Sequence, residues 1–429
     1  MKFKLRLSVK IILFSLFVVN YSMAQNRNGN GIIVAGTRPP DQKPIAGQIL
    51  EQRDATPGTH QKPAFKGQTR AVAVITKTPY REQVIATGLF HPWSIAFMPD
   101  DRMLITEKRG SLKIVTQDGL VSDTLRGLPH NIVYGGDAGL LDIVIDPDFK
   151  NNRAIYFCYS ERRELGSGLS VATAVLSNDE FSIRDLKVIY RISNDSKSMA
   201  HYGSRLLFDK TGKLFVSTSE RMDEETRVQT QWLSSALGKI LRINTDGTPA
   251  AGNPVFPDSP NAVKEIWAYG FRNPQGICYH PVTGDLWEDE HGTQAGDEVN
   301  IIKPGKNYGW PVIAYGTEYD GRPIEGGITQ KAGMEQPIYY WDPTIAPSGS
   351  TFYNGRVIPE WNGNLFVAAL AGQHVVRLVI ENNRVTGEER LLLDQHQRMR
   401  DVVQGPDGAL WVITDAENGR LIRIGNKNE

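Results

Sequence analysis

The chain has 429 residues with 48 Lys and Arg against 48 Asp and Glu, and four of the basic residues fall within the first 24. The rest of the chain, from residue 25 on, is mildly acidic, which argues against a nucleic-acid partner. Two cysteines, Cys158 and Cys278, lie far apart inside apolar runs, so they supply no metal-binding pair and read as buried free thiols.

In chain order, the basic stretch MKFKLRLSVK leads into IILFSLFVV and then Ser22, Met23 and Ala24. Positive charge, a short apolar core and a small-residue cleavage site together predict a signal peptide over 1–24. The apolar core falls well short of the roughly 20 residues a membrane span needs. The expected product is therefore exported, periplasmic or secreted, with no stable membrane span once the signal is removed. Residues 25–78 are rich in Gly, Pro, Gln, Asn and Thr without sustained apolar periodicity, and are expected to form a flexible leader.

From residue 79 onward one pattern recurs: a short apolar strand, a turn with Asp, Asn or Gly, and a second apolar strand ending in small or polar residues. Six copies begin at 94, 141, 205, 276, 350 and 401, with their second strands opening at Leu104, Ile155, Leu214, Leu286, Leu365 and Leu410. A hairpin of this kind exposes an apolar face that only a stacked neighbour can bury. Six repeats therefore predict an all-β, six-bladed β-propeller over 79–426, one blade of four strands per copy. The long insertions at 222–264 and 293–345 are expected on one rim, where they would build the site.

Hydrolase, zinc-protease and nucleotide-binding fingerprints are missing from the contexts they require. Polar residues instead gather at the ends of the repeat strands. His201 precedes one strand and Glu220 follows its hairpin partner, so the hairpin would bring a proton acceptor and a supporting carboxylate together. Arg272 and Asn273 follow EIWAYGF, and Arg398 and Arg400 flank Met399. Guanidinium groups gathered at a channel suit a ligand with several carboxylates, and ordinary salt bridging is the alternative. The segment DEHGTQAGDEVNIIKPGKNYGWP at 289–311 combines acids with irregular, carbonyl-rich turns. Calcium favours such oxygen donors, although a solvated acidic turn would look the same.

Taken together, HYGSRL, AYGFRNPQG, EHGTQAGDEVN, GKNYGWP, IAPSG and RMRDVVQGPDG resemble the soluble quinoprotein glucose and aldose sugar dehydrogenases over about residues 83–425. The resemblance implies a six-bladed propeller that holds pyrroloquinoline quinone (PQQ) and calcium. It also implies oxidation of the anomeric hydroxyl of an aldose to a lactone, with electrons passed to an acceptor that the sequence does not identify. By motif, His201 matches the general base and Glu220 an acid beside it. Arg272, Asn273, Tyr319, Arg398 and Arg400 match cofactor contacts. The carbonyls of Gly292 and Thr293 match the cofactor-bound calcium, and Glu298 with Tyr308 a second, structural calcium. Two positions depart from the family: Asp137 stands where a cofactor-binding glutamine is usual, and Ala371 where the glucose enzymes carry a lysine. Both departures leave room for a non-catalytic calcium-binding propeller that binds a sugar or a protein.

Overall fold

The computed structural model describes residues 45–49, 61–193 and 195–428, so the expected signal peptide lies outside the described residues. The first strand, β1 (Tyr80–Leu89), precedes a three-stranded sheet of β2 (Pro92–Phe97), β3 (Met103–Glu107) and β4 (Ser111–Val115). The second sheet holds β5 (Leu140–Ile145), β6 (Ala154–Arg163), β7 (Gly166–Leu176) and β8 (Ile183–Arg191). The third holds β9 (Gly203–Phe208), β10 (Leu214–Thr218), β11 (Lys239–Ile243) and β12 (Ile266–Tyr269). In the fourth are β13 (Pro274–Tyr279), β14 (Leu286–Glu290), β15 (Asp297–Ile302) and β16 (Tyr339–Trp341). The fifth contains β17 (Pro347–Phe352), β18 (Leu365–Ala369), β19 (His374–Glu381) and β20 (Arg384–Leu391). The last contains β21 (Met399–Gln404), β22 (Leu410–Thr414) and β23 (Gly419–Asn426), and β1 pairs antiparallel with β23 as its outermost strand. Each of the six sequence repeats is thus the first hairpin of a blade. Supplying the last blade's outer strand from the start of the domain closes the ring and removes two exposed edges.

Packing explains why these strands read as nearly continuous apolar runs. Each apolar cluster of the described residues bridges two neighbouring blades: Leu104 and Ile114 meet Phe157 and Ala172, for example, while Trp411 and Ile413 meet Ile95 and Ile105. Both faces of an interior blade are therefore buried, Phe157 turning to one side and Cys158 to the other. Cys158 and Cys278 are buried free thiols, as expected.

The innermost strands β2, β5, β9, β13, β17 and β21 touch one another in a closed ring around the axis. Their third residues, Ser94, Asp142, Arg205, Gly276, Gly349 and Asp401, form one layer. Nη1 of Arg205 lies 3.2 Å from both Asp142 Oδ1 and Asp401 Oδ1, its Nε donates to the Gln275 carbonyl at 2.9 Å, and Trp93 lies 4.4 Å away under the guanidinium. The two glycines leave space for carboxylates: a Cβ at Gly276 would strike Asp289, and one at Gly349 would strike Asp401.

Burial pushes the carboxyl of Asp289 up to about 8, and the Ser350 hydroxyl and Arg205 offset this only partly. The unfolded value is about 4, so the native state holds a proton that the unfolded chain releases. Its contribution is complete below about pH 4 and is lost as pH rises through about 8. Asp289→Asn is therefore expected to match the parent in urea midpoint at acid pH and exceed it above pH 8. Equal midpoints at alkaline pH would show that Asp289 ionises there without cost.

Two expectations are corrected. Of the flexible leader, residues 61–78 are packed against the propeller: Gln68 is fully buried and donates to the Pro337 carbonyl at 2.8 Å, and Ala73 pairs with Glu388 on β20. Buried amide hydrogen bonding, which apolar periodicity does not register, holds this segment down. The 222–264 insertion is also split between faces. Its first part follows β10 at the end where Thr218 meets Gly203, whereas 244–265 follows β11 at the opposite end, where Ile243 meets Leu214.

Among the described residues, no helix is long and apolar enough to cross a membrane.

Candidate active site

One end of the ring collects the residues just before each inner strand and just after its hairpin partner. His201 lies immediately upstream of β9 with φ at 49°, a left-handed conformation that costs a non-glycine residue energy and is kept only where contacts impose it. Three contacts do so. Its N–H donates to Asp137 Oδ2 at 2.9 Å, its carbonyl accepts the Ser219 hydroxyl, and its Nδ1 stands 2.8 Å from Glu220 Oε1. A carboxylate acceptor at Nδ1 fixes that nitrogen as the N–H and leaves Nε2 with a lone pair. Burial, then Arg272, lower the imidazole below its ordinary value, against the opposing pull of Glu220 and Asp137. The ring is consequently neutral at neutral pH. Glu220 is buried, yet its hydrogen bond and attraction to His201 outweigh that burial and hold its carboxyl below the ordinary value. The expected meeting of His201 and Glu220 is thus realised.

The sequence left Asp137 as a carboxylate confronting an anionic ligand. In the structure it is turned to the main chain of His201, and although its surroundings push its carboxyl up, His201 and Lys108 bring it below the ordinary value. Lys108 is buried, and its Nζ donates to Gly136 at 2.6 Å. Across the mouth, Arg400 Nη2 reaches Asp415 at 2.7 Å, Arg398 approaches the same carboxylate at 3.8 Å, and His91 Nδ1 holds its other oxygen at 2.7 Å. Burial, then repulsion from Arg400 and Arg398, lower the Lys108 ammonium despite Asp415 and Asp137. Mutually repelling cations of this kind fit a ligand with several carboxylates. Ala371 contributes no charge, and its N–H bonds to Ile345 at 2.9 Å.

Sequence reasoning missed Lys108, His91, His291 and Asp415. The signal for three of them was present, because Lys108, His291 and Asp415 follow β3, β14 and β22 just as Glu220 follows β10. Aligning the repeats by strand ends would have found them.

Arg272 and Asn273 turn between blades over Glu290, whose Oε2 accepts both main-chain N–H groups, at 2.5 and 3.2 Å. Arg272 Nη1 donates to His291 O at 3.2 Å and to Gly292 O, and Nη2 stands 3.5 Å from the Tyr319 hydroxyl. Asn273 Oδ1 accepts the Gly203 N–H at 3.1 Å, tying this corner to the His201 strand. Arg272, Asn273 and Tyr319 are therefore brought together beside the base, while Arg398 and Arg400 face them from the last blade.

Behind Arg272 lies a narrow, partly open cavity lined by Glu290, Thr293, Glu298, Tyr308, Trp310 and Gly316, among others. Burial and mutual repulsion raise the carboxyls of Glu288 and Glu298 well above their ordinary value and that of Glu290 to about 8. The Thr293 hydroxyl and Glu288 Oε1 are buried without a hydrogen-bond partner. Crowded carboxylates and orphaned oxygens fit a hard cation. Among the described residues, no group of three or more His, Cys, Asp or Glu converges as a metal cage, so main-chain carbonyls would have to complete the shell. Tyr308 can offer only its carbonyl, because its hydroxyl donates to Ile301 O at 2.7 Å and accepts from Lys303 N at 2.8 Å. Gly292 O is occupied by Arg272, which would have to withdraw for a cation to bind there.

Comparison with known proteins places this geometry in a family. The family model for glucose/sorbosone dehydrogenase matches residues 89–423. The chain is 39% identical over 351 residues to the aldose sugar dehydrogenase YliI of Escherichia coli, covering 81% of this chain and 93% of that protein. The crystal structure of the soluble E. coli aldose sugar dehydrogenase, in its apo form, superposes with a TM-score of 0.77 at 38% identity, over 81% of this chain and 100% of the other. Quinoprotein glucose dehydrogenase B of Acinetobacter calcoaceticus is 25% identical over 416 residues, covering 78% and 85% of the two chains. With its blade ring inside the matched span apart from nearly all of β1 and the last three residues of β23, this six-bladed propeller belongs to the glucose/sorbosone dehydrogenase family.

Proposed function

We propose that the chain is an exported quinoprotein that oxidises the anomeric hydroxyl of aldoses to lactones, using PQQ and calcium and passing electrons to a separate acceptor. The observation that carries this reading is a neutral, carboxylate-oriented imidazole facing the same mouth as a set of cations. Its relatives' names, an aldose sugar dehydrogenase and a quinoprotein glucose dehydrogenase, support the substrate class and the cofactor.

PQQ, when bound, supplies a two-electron acceptor for the hydride that leaves the anomeric carbon. His201 Nε2 takes the hydroxyl proton as the carbon–oxygen double bond forms. Glu220 stabilises the resulting imidazolium and fixes the ring's orientation. Arg272, Asn273, Tyr319, Arg398 and Arg400, joined by Lys108, would hold the cofactor's carboxylates. The carbonyls of Gly292 and Thr293 would supply oxygens to the cofactor-bound calcium, and Glu298 and Tyr308 to a second, structural calcium.

The binding-only alternative drew on Asp137 and Ala371. Asp137 is engaged by the His201 main chain, and Lys108 supplies a cation to the mouth that lacks one at Ala371. Both features reduce the case for that alternative. The test is direct: purified mature protein is mixed with PQQ and calcium, and dye reduction is followed with a panel of aldoses. Aldose-dependent dye reduction that needs the quinone is the expected result. Failure both to bind the quinone and to reduce dye would sink the enzyme reading.

A further inference from the structure

We propose that the segment 61–76 is a brace for the active-site loop 291–297, so that residues upstream of the 89–423 family span set the position of the oxygens offered to a cation. The proposal rests on the functional reading above for its consequence, but its structural step stands on contacts alone.

The contacts form a continuous path. Gln61 Nε2 donates to the carbonyls of Ala314 at 3.3 Å and Gly316 at 3.1 Å. Gln68, fully buried, uses every polar atom of its side chain: Oε1 accepts the Ala64 N–H at 2.6 Å and lies 3.1 Å from the Tyr315 hydroxyl, and Nε2 donates to Pro337 O at 2.8 Å. Its own carbonyl accepts the Tyr340 N–H at 2.8 Å. Tyr315, stacked on Tyr340 at 4.0 Å, is thereby fixed from two sides.

The next link is steric. A Cβ on Gly296 would strike the Tyr315 main chain, and one on Gly316 would strike the Ala295 carbonyl and the Thr293 hydroxyl. Residues 315–316 and 293–296 are thus in backbone contact, with no side chain between them to absorb movement. Ala314 and Gly316 also line the cavity that holds Glu290, Thr293 and Glu298. Displacing 314–316 by a few tenths of an ångström moves the Thr293 and Gly292 oxygens with it, which is how an outer support tunes a metal site. The far end of the segment is held separately on another blade, where the Thr76 hydroxyl reaches Glu389 at 2.6 Å and the Trp361 indole N–H at 2.7 Å, contacts that lie off the path from Gln61 and Gln68 to the loop.

The test uses the full mature chain carrying Gln68→Ala, Gln61→Ala or, as comparator, Thr76→Val. Amide hydrogen exchange over 291–297 and 312–318 is measured without added metal, and calcium affinity is measured by titration with calcium alone. For both glutamine variants the expected result is exchange faster by about tenfold in those two stretches, with the inner strands unchanged, and calcium affinity reduced in step. Thr76→Val is expected to leave 291–297 as it was. Should Gln68→Ala fail to fold, Gln61→Ala, which removes only half-buried contacts, carries the decision. Parental exchange over 291–297 in the folded glutamine variants overturns the brace. If the parent binds no calcium at all, the cation reading falls while the exchange measurement still decides the brace.

Discussion

Replacing His201 by Ala is expected to lower kcat by a factor of about 10² to 10⁴, the usual worth of a positioned general base, while leaving quinone absorbance close to the parent's and lowering thermal stability, because the buried Glu220 carboxylate loses its imidazole partner. The separation follows from geometry. His201 is tethered to Asp137 and Ser219 through its main chain, which alanine retains, and the cations at Arg272, Arg398 and Arg400 do not depend on the ring for their contacts. In the parent, activity falls as pH drops through the His201 value, which lies below the ordinary 6.5 because burial and Arg272 both oppose the charged form. The residual activity of the alanine variant should lose that acid limb. A variant that keeps the limb and most of its rate would assign the base elsewhere, whereas one that loses the quinone would make His201 a binding residue.

The blades were legible because a propeller repeats its grammar. All six hairpins quoted from the sequence open blades, and His201 with Glu220 could be paired because a hairpin brings its two ends together. Lys108 was passed over because a single lysine after MLITE looks like any surface cation until the ring carries it to Gly136. The leader was misread for a different reason. Gln68 and Gln61 stabilise through amide hydrogen bonds to a loop about 250 residues away in sequence, and such contacts leave no periodicity to find. Asp137 shows the same limit at the site, since its residue type predicted repulsion and only its direction revealed a hydrogen bond to the base.

The largest expected loss of stability comes from the axis. Arg205→Met is expected to destabilise the fold by about 3–5 kcal/mol, because removing one partner of a buried ion cluster strands the others. Here Arg205 is the cation facing Asp142 and Asp401 at 3.2 Å, and it also draws down the carboxyl of Asp289. Those carboxylates hold the inner strands, Asp142 accepting the Leu206 N–H at 2.6 Å and Asp401 the Ile95 N–H at 3.1 Å. They cannot turn away to water without releasing strands. Arg205 lies four residues after His201, so strain in the layer is transmitted along one short segment to the base. The triple variant Arg205→Met, Asp142→Asn, Asp401→Asn should recover part of the loss, since neutral amides can still accept those N–H groups. Urea unfolding of the three proteins decides the matter: an unchanged midpoint for Arg205→Met would mean that water enters the axis and screens the carboxylates. In that event the ring's rigidity, and with it the placement of His201, must come from the apolar blade interfaces alone.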